Sequence, residues 1–337
     1  MDEWVNVFGF SIDNLPGQNE ATIKYSLPQH IKLAVVDDYE VFVGFRCKWP
    51  KLSIVQNKAG IKQTPYIAIE PIQELSFEQL LNIEFRISTF FELAIAKHVG
   101  PKAISAWTEE KKQVDIFFKL LDIPVQSDCL LPRDMLFTFA DTHGLLPTPL
   151  ENWLAKAERL APAYSLYTAI VENPRMYLEQ RFLSLAQAVE SFHRRSRKNC
   201  VLPKSEHKQK INRIINAVPE DDKYWLQTKL AYSNEPTLFN RLEELCDEFS
   251  AVLDGLIPDT ALFRRKVRDT RNYYTHYDEK LKKKAAMGQE LFNLTQKLKM
   301  LLELCFLKEV GFDEITMKRL IERNRRYQAE ASVLLLG

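Results

Sequence analysis

Phe263-Arg264-Arg265-Lys266-Val267-Arg268-Asp269-Thr270-Arg271-Asn272-Tyr273-Tyr274-Thr275-His276-Tyr277-Asp278 decides the fold class of the C-terminal half, because its residues sort cleanly only as a two-faced helix. At 100° per residue, Phe263, Val267, Thr270 and Tyr274 share one stripe, the face for a bundle core. Arg265, Arg268, Asn272 and His276 fall within about 80° of one another on the far side, flanked by Arg264 and Arg271. His276 therefore lies off the apolar stripe, among cations and four residues from an amide.

The same helical texture extends on both sides. Leu178, Phe182, Leu185, Val189 and Phe192 step by four and three, and Leu291, Leu294, Leu298, Leu301 and Cys305 do so on a helix from about Ala285 to Glu309. Shorter helices are expected at Ser205–Ala217, Asp221–Tyr232, Thr237–Phe249 and Asp259–Tyr277, and Asn173-Pro174 reads as a cap and first turn. Gly288 reads as a glycine in a helix interior. The N-terminal half differs. Val5–Ile12, Ile31–Val36, Tyr39–Cys47 and Thr64–Glu70 are rich in β-branched and aromatic residues, with Asp37-Asp38 as a hairpin turn. Ser76 with Gln79 forms a capping-box signal for a helix to about Val99, stopped by Gly100-Pro101. Lys112–Lys119 alternates Val114, Ile116 and Phe118 inward as a strand, and Thr148-Pro149 opens a further helix. The expected fold is α+β: a β-containing domain over residues 1–172, then an all-α bundle over residues 173–337.

Composition supports two domains with different partners. The chain has 337 residues, 46% of them hydrophobic, and a net charge of +1. Residues 1–172 carry 16 basic and 22 acidic side chains, whereas residues 173–337 carry 30 and 23, so the C-terminal half leans towards phosphates. No apolar run reaches the roughly 18 residues of a membrane span, and the start Met1-Asp2-Glu3-Trp4 does not read as a secretory signal. Five scattered cysteines and six dispersed histidines fit reduced thiols in a cytoplasm, without zinc spacing. No metal and no cofactor are expected.

Arginine and histidine on one polar face suit phosphodiester chemistry. Histidine gains and loses a proton near neutrality, and arginine's planar fork matches phosphate oxygens. Arg271 and His276 supply both, but lie about 140° apart on an ideal helix, so two copies meeting across a two-fold axis would close the site more readily than one. The plain alternative is a solvated basic face with an incidental histidine.

Arg271-Asn272-Tyr273-Tyr274-Thr275-His276 resembles the R-x4-H motif of HEPN domains, late in an all-α domain and followed by a long helix. Phe182 to Arg194 resembles the early helix of the Apea-type HEPN group, and the preceding β-containing region resembles the N-terminal domain of that group. The resemblance implies an anti-phage abortive-infection endoribonuclease, a homodimer that cuts RNA, with tRNA anticodon loops as substrate, without metal at a composite cleft. It implies His276 as acid/base, Arg271 steadying the phosphorane and Asn272 orienting phosphate or histidine. Glu190 matches an acidic position near the site that holds an arginine; its other reading is a helix-surface pair with Arg194. Arg268 is a supporting cation. Tyr273 is a candidate for base stacking, with core packing as the other reading. For the N-terminal domain the resemblance implies a regulatory role, either sensing of a phage-derived trigger or holding the nuclease in check.

Three cationic clusters are candidates for phosphate contact: Arg194, Arg195, Arg197 and Lys198; Lys280, Lys282, Lys283 and Lys284; and Arg323, Arg325 and Arg326. Each also reads as a solvated patch. Two non-enzymatic readings stand beside the nuclease: a HEPN-like bundle that binds RNA or a nucleotide, and a scaffold that dimerises through the motif face.

Overall fold

The computed structural model describes residues 1–13, 22–36, 38–49, 60–108, 110, 112–117 and 130–328. The chain divides into two compact units. The first comprises residues 1–155 with 309–312 and 319–327, and the second 156–308 with 313–318 and 328–337. The strands lie in the first unit and the second is helical, which is the expected α+β class. The expected boundary at 172/173 falls at the end of helix α3 (Pro149–Glu172). No helix among the described residues is long and apolar enough to cross a membrane.

The first unit opens with a single helical turn, α1 (Asp2–Val5), where the sequence suggested a strand from Val5. Its reason is burial: Trp4 and Val5 turn inward, and Trp4 meets Phe91 edge-on at 5.0 Å. Strands β1 (Phe10–Asp13) and β2 (Thr22–Tyr25) pair antiparallel, and β3 (Ile31–Val36), β4 (Tyr39–Lys48) and β5 (Lys62–Pro71) form an antiparallel sheet in that order. Asp37, half of the expected turn between β3 and β4, lies outside the described residues.

Helix α2 (Phe77–Ile95) carries the Ser76–Gln79 capping box, but ends at Ala96 in the left-handed region, before Gly100. A short hairpin follows, β6 (Ile104–Trp107) with β7 (Gln113–Ile116). Val114 is exposed there, so the expected inward alternation fails, and Phe118 lies outside the described residues.

The C-terminal arginines belong to this unit's structure. Arg323 grips Asp141 with two hydrogen bonds of 2.8 and 2.7 Å, and Arg325 meets Asp134 at 3.0 Å. That fork, with the Thr138 backbone and hydroxyl, holds the Asp141 carboxyl below its ordinary value against the opposing effect of burial, the largest single influence.

In the second unit, α4 (Leu178–Ser196), α7 (Leu238–Glu248) and α9 (Thr260–His276) pack on one another. Asn173-Pro174 is a turn rather than a helix start. Asn173 Oδ1 accepts from the Arg175 amide, and the Arg181 guanidinium donates to the Asn173 and Pro174 carbonyls. Between α4 and α7 stands a helical hairpin, α5 (Lys204–Asn216) and α6 (Glu220–Leu230). Two short helices, α8 (Ser250–Leu253) and α10 (Glu279–Lys282), flank α9, and α11 (Gly288–Glu309) and α12 (Glu314–Arg323) follow. Gly288 starts α11 with φ +53°, a conformation that suits glycine, and so is not interior. Leu298, Leu301, Leu302, Leu304, Cys305, Phe306 and Leu307 are all buried, which makes α11 the central helix. Glu303, buried on the same helix, accepts a hydrogen bond from the Tyr167 hydroxyl at 2.7 Å.

Candidate active site

Helix α9 forms where the sequence places it. Asp259 caps its start, accepting from the Leu262 amide at 2.7 Å. Phe263, Val267, Thr270 and Tyr273 are its buried residues, so the core stripe ends on Tyr273 and leaves Tyr274 half-buried. Thr270 Oγ1 anchors the next segment by accepting the Ala286 amide at 2.9 Å. The helix stops after His276, because Tyr277 takes a left-handed conformation (φ 50°) and returns its N–H to the Tyr273 carbonyl at 2.6 Å. Such a backbone costs a bulky residue roughly 1 kcal/mol or more, offset here by ring contacts of Tyr277 with Tyr273 and Tyr274 at 5.6 and 6.1 Å. Three tyrosines thus fix the point at which the chain turns away behind the histidine.

His276 is exposed and has no hydrogen bond or ion pair among the described residues. Arg271 is half-buried; its Nη1 donates to Asn272 Oδ1 at a long 3.4 Å, and its Nη2 lies 3.9 Å from Glu190 Oε2 on α4. Glu190 therefore faces Arg271, whereas Arg194, its other expected partner, pairs with Glu235 at 2.6 Å. Arg271 and His276 do not touch. Tyr273 is inside, so its ring is not offered to a base. Burial, reinforced by Glu179, pushes the Tyr274 phenol above its ordinary value, which keeps it protonated near neutrality and removes it as a base.

The supporting cations divide. Arg268 is committed to Asp269 at 2.8 Å and lies over the Phe239 ring. Arg195 donates to the Arg159 and Glu158 carbonyls at 2.7 and 3.0 Å, and Arg197 forks onto Glu248 at 2.9 and 2.7 Å. Lys282 pairs with Glu279 at 3.3 Å, while Lys283 and Lys284 are exposed without partners among the described residues. The early-helix cluster is thus largely spent on internal bonds, and the lysines after the motif are freer.

A buried polar knot beneath the motif was not anticipated. Arg241 on α7, with no exposed surface, donates from Nη1 to His193 Nδ1 at 3.0 Å and from Nη2 to Asn199 Oδ1 at 2.6 Å. A guanidinium only donates, so His193 Nδ1 must accept and its proton sits on Nε2, which donates to Glu244 Oε2 at 2.8 Å. His193 is therefore neutral in the fold. Burial is the main cause of its lowered pKa; Glu244 opposes the shift, and Arg241 and Arg197 add to it. The signal in the sequence was slight: Arg241 sits four residues before Leu245, at the edge of the α7 stripe.

Comparison with known families matches residues 183–315 to the Apea-like HEPN model and residues 1–153 to ApeA N-terminal domain 1. The two models lie in order and together span most of the chain. No curated protein and no solved structure matches it significantly.

Proposed function

On the premise that the chain belongs to the ApeA-type HEPN proteins, we propose that it is an abortive-infection endoribonuclease that cleaves RNA without a metal ion at a site completed by two copies. The family points to anti-phage defence and a nuclease-type fold, and HEPN domains commonly dimerise and bind RNA. The observation that carries the reading is at the end of α9. An arginine with only a loose carboxylate neighbour and a histidine with no described partner project from one helix end, both available to a ligand.

In this reading His276 of one copy takes the proton of a ribose 2′-hydroxyl, and the 2′-oxygen attacks the adjacent phosphorus. Arg271 holds two phosphoryl oxygens as negative charge grows, with Asn272 orienting phosphate or imidazole. The bond from phosphorus to the 5′-oxygen breaks, and the leaving oxygen takes a proton from the histidine of the second copy. The products are a 2′,3′-cyclic phosphate and a 5′-hydroxyl. One copy leaves Arg271 and His276 apart, which supports a homodimeric site. A tRNA anticodon loop suits it as substrate, because unstacked loop nucleotides let the 2′-hydroxyl align with its phosphate. The N-terminal domain is the sensor of a phage-derived trigger, and the protein acts in the cytoplasm.

The test is to map RNA ends in infected cells carrying wild type or His276→Ala. New 5′-hydroxyl ends at discrete loop positions, absent from the variant, are expected. Identical profiles during a productive defence response would reduce the motif to binding or dimerisation.

A further inference from the structure

Helix α6 is anomalous for a folded bundle, since none of its residues is buried. Instead it displays Tyr224 and Trp225, 82% and 59% exposed, and Tyr232 just beyond its end is 78% exposed. Leu226 and Leu230 are half-buried, as are Ile211 and Ile214 of α5, while Ile215 is buried and the two helices pack on each other. The hairpin thus spends its aliphatic residues on itself and leaves three aromatic rings outward.

Helix α5 supplies the charge. Lys204, Lys208, Lys210 and Arg213 are exposed, and none has an ion pair among the described residues, against a single acid, Glu206. This separates them from Arg194, Arg195, Arg197, Arg264 and Arg268, whose donors are engaged within the protein. The hairpin is also firmly rooted. Val201 donates to the Asn234 carbonyl at 2.8 Å, the Asn234 side chain bonds both backbone groups of Leu202, and Glu235 pairs with Arg194. Arg194 lies one helical turn after Glu190, the acid facing Arg271, so the root of the hairpin stands next to the candidate active site.

We infer that the α5–α6 hairpin is a binding arm for single-stranded RNA, with Tyr224, Trp225 and Tyr232 as stacking surfaces and the α5 cations as phosphate contacts. Unpaired cations and outward rings on one helical hairpin are the combination by which sequence-tolerant single-strand binding works. The acids Glu220, Asp221 and Asp222 cluster in the first turn of α6, which leaves α5 with four cations against Glu206 alone. The inference rests on the nuclease reading and assigns the element that presents the strand.

The experiment uses the full chain, a fluorescein-labelled RNA stem-loop, and the same stem as a blunt duplex. Wild type is expected to prefer the stem-loop. Tyr224→Ala with Trp225→Ala should weaken stem-loop binding by roughly tenfold or more for each ring and abolish that preference. Lys208→Glu with Arg213→Glu should weaken both ligands and flatten the salt dependence. All four side chains are exposed, and circular dichroism checks that the fold is kept. Unchanged affinities in variants of a protein that still cleaves in a His276-dependent manner would overturn the arm alone. Conversion from dimer to monomer by the ring substitutions, in analytical ultracentrifugation without RNA, would overturn it in favour of self-association. Wild type that neither binds nor cleaves RNA would overturn the nuclease reading and the arm together.

Discussion

Arg241 and Arg271 belong to helices that pack on each other, and the protein treats them in opposite ways. Arg241 has no exposed surface and gives its two terminal nitrogens to His193 and Asn199. Arg271 stands partly in solvent with its nearest carboxylate at 3.9 Å, beyond hydrogen-bond length. A buried cation needs most of its donors filled by the fold, because each unfilled one costs desolvation energy, and of the three Arg241 nitrogens only Nε is buried without a partner among the described residues. An arginine meant for phosphate must keep donors open. The same division runs between His193, bonded on both nitrogens, and His276, bonded on neither among the described residues. Function in this bundle is expected where the polar groups are left unsatisfied.

The largest effect that would break this comparison is catalytic. His276→Ala and Arg271→Ala are each expected to lower the rate of RNA cleavage by at least about 100-fold. Both should change unfolding free energy by less than about 0.5 kcal/mol, since neither side chain is packed in the core. Single-turnover cleavage beside urea denaturation measures the two quantities on one preparation. A variant that loses activity and stability together would move its residue to the structural side.

Arg241→Ala should show the reverse. Removing the guanidinium leaves His193 Nδ1 buried and Asn199 Oδ1 half-buried without their donor and opens a cavity, a loss of about 2–5 kcal/mol on unfolding. Arg241→Met, which fills the space without demanding partners, should lose less. Equal and negligible losses in both would mean that the knot is not load-carrying.

How much of this was legible in the sequence follows the same line. The bounds of α9 and its polar face with Arg271 and His276 were readable, because a stripe of period 3.6 is a local signal. The fold class was readable too, from strands crowded into one half and helical stripes in the other. The stripe's last member was misplaced by one residue, since Tyr273 and Tyr274 are chemically equal and only the turn at Tyr277 chooses between them. Arg194 and Arg195 read as free cations because their acceptors, Glu235 and the carbonyls of residues 158 and 159, lie far away in the sequence. The knot around Arg241 joins α4 to α7 across about 50 residues, and no local pattern announces it. Asn173-Pro174 carried a helix-start signal that the Arg181 guanidinium turns to another use.

Acid should sharpen the contrast between the two histidines. His193 is neutral in the fold and its pKa lies below the ordinary 6.5, so at mildly acidic pH the unfolded chain binds a proton that the native state does not. Its contribution is therefore complete above about pH 6.5 and lost as pH falls towards the lowered folded value. Unfolding midpoints measured from pH 7.5 down to pH 5 should fall, and should fall less in His193→Gln, which can still accept from Arg241 and donate to Glu244. The carboxyls of Asp141 and Glu248, both held low, give way only under stronger acid, through their ordinary range of about 4 and below. A wild type and variant that decline in parallel between pH 7 and 5 would remove His193 as the cause.

The smallest expected effect lies at the join of the two regions, in Glu190. The acid faces Arg271 at 3.9 Å with both side chains about a third exposed, a pair worth roughly 0–1 kcal/mol. If all of that energy serves to place Arg271, Glu190→Gln can slow cleavage by no more than about fivefold, because a tenfold change needs about 1.4 kcal/mol. The loss should appear in kcat rather than in RNA affinity, since removing an acid beside a phosphate site otherwise favours binding. A drop of 100-fold or more would exceed what the pair can supply and would place Glu190 against the reacting atoms. No change in rate, with Arg271→Ala still inactive, would show that the arginine finds its position from α9 alone.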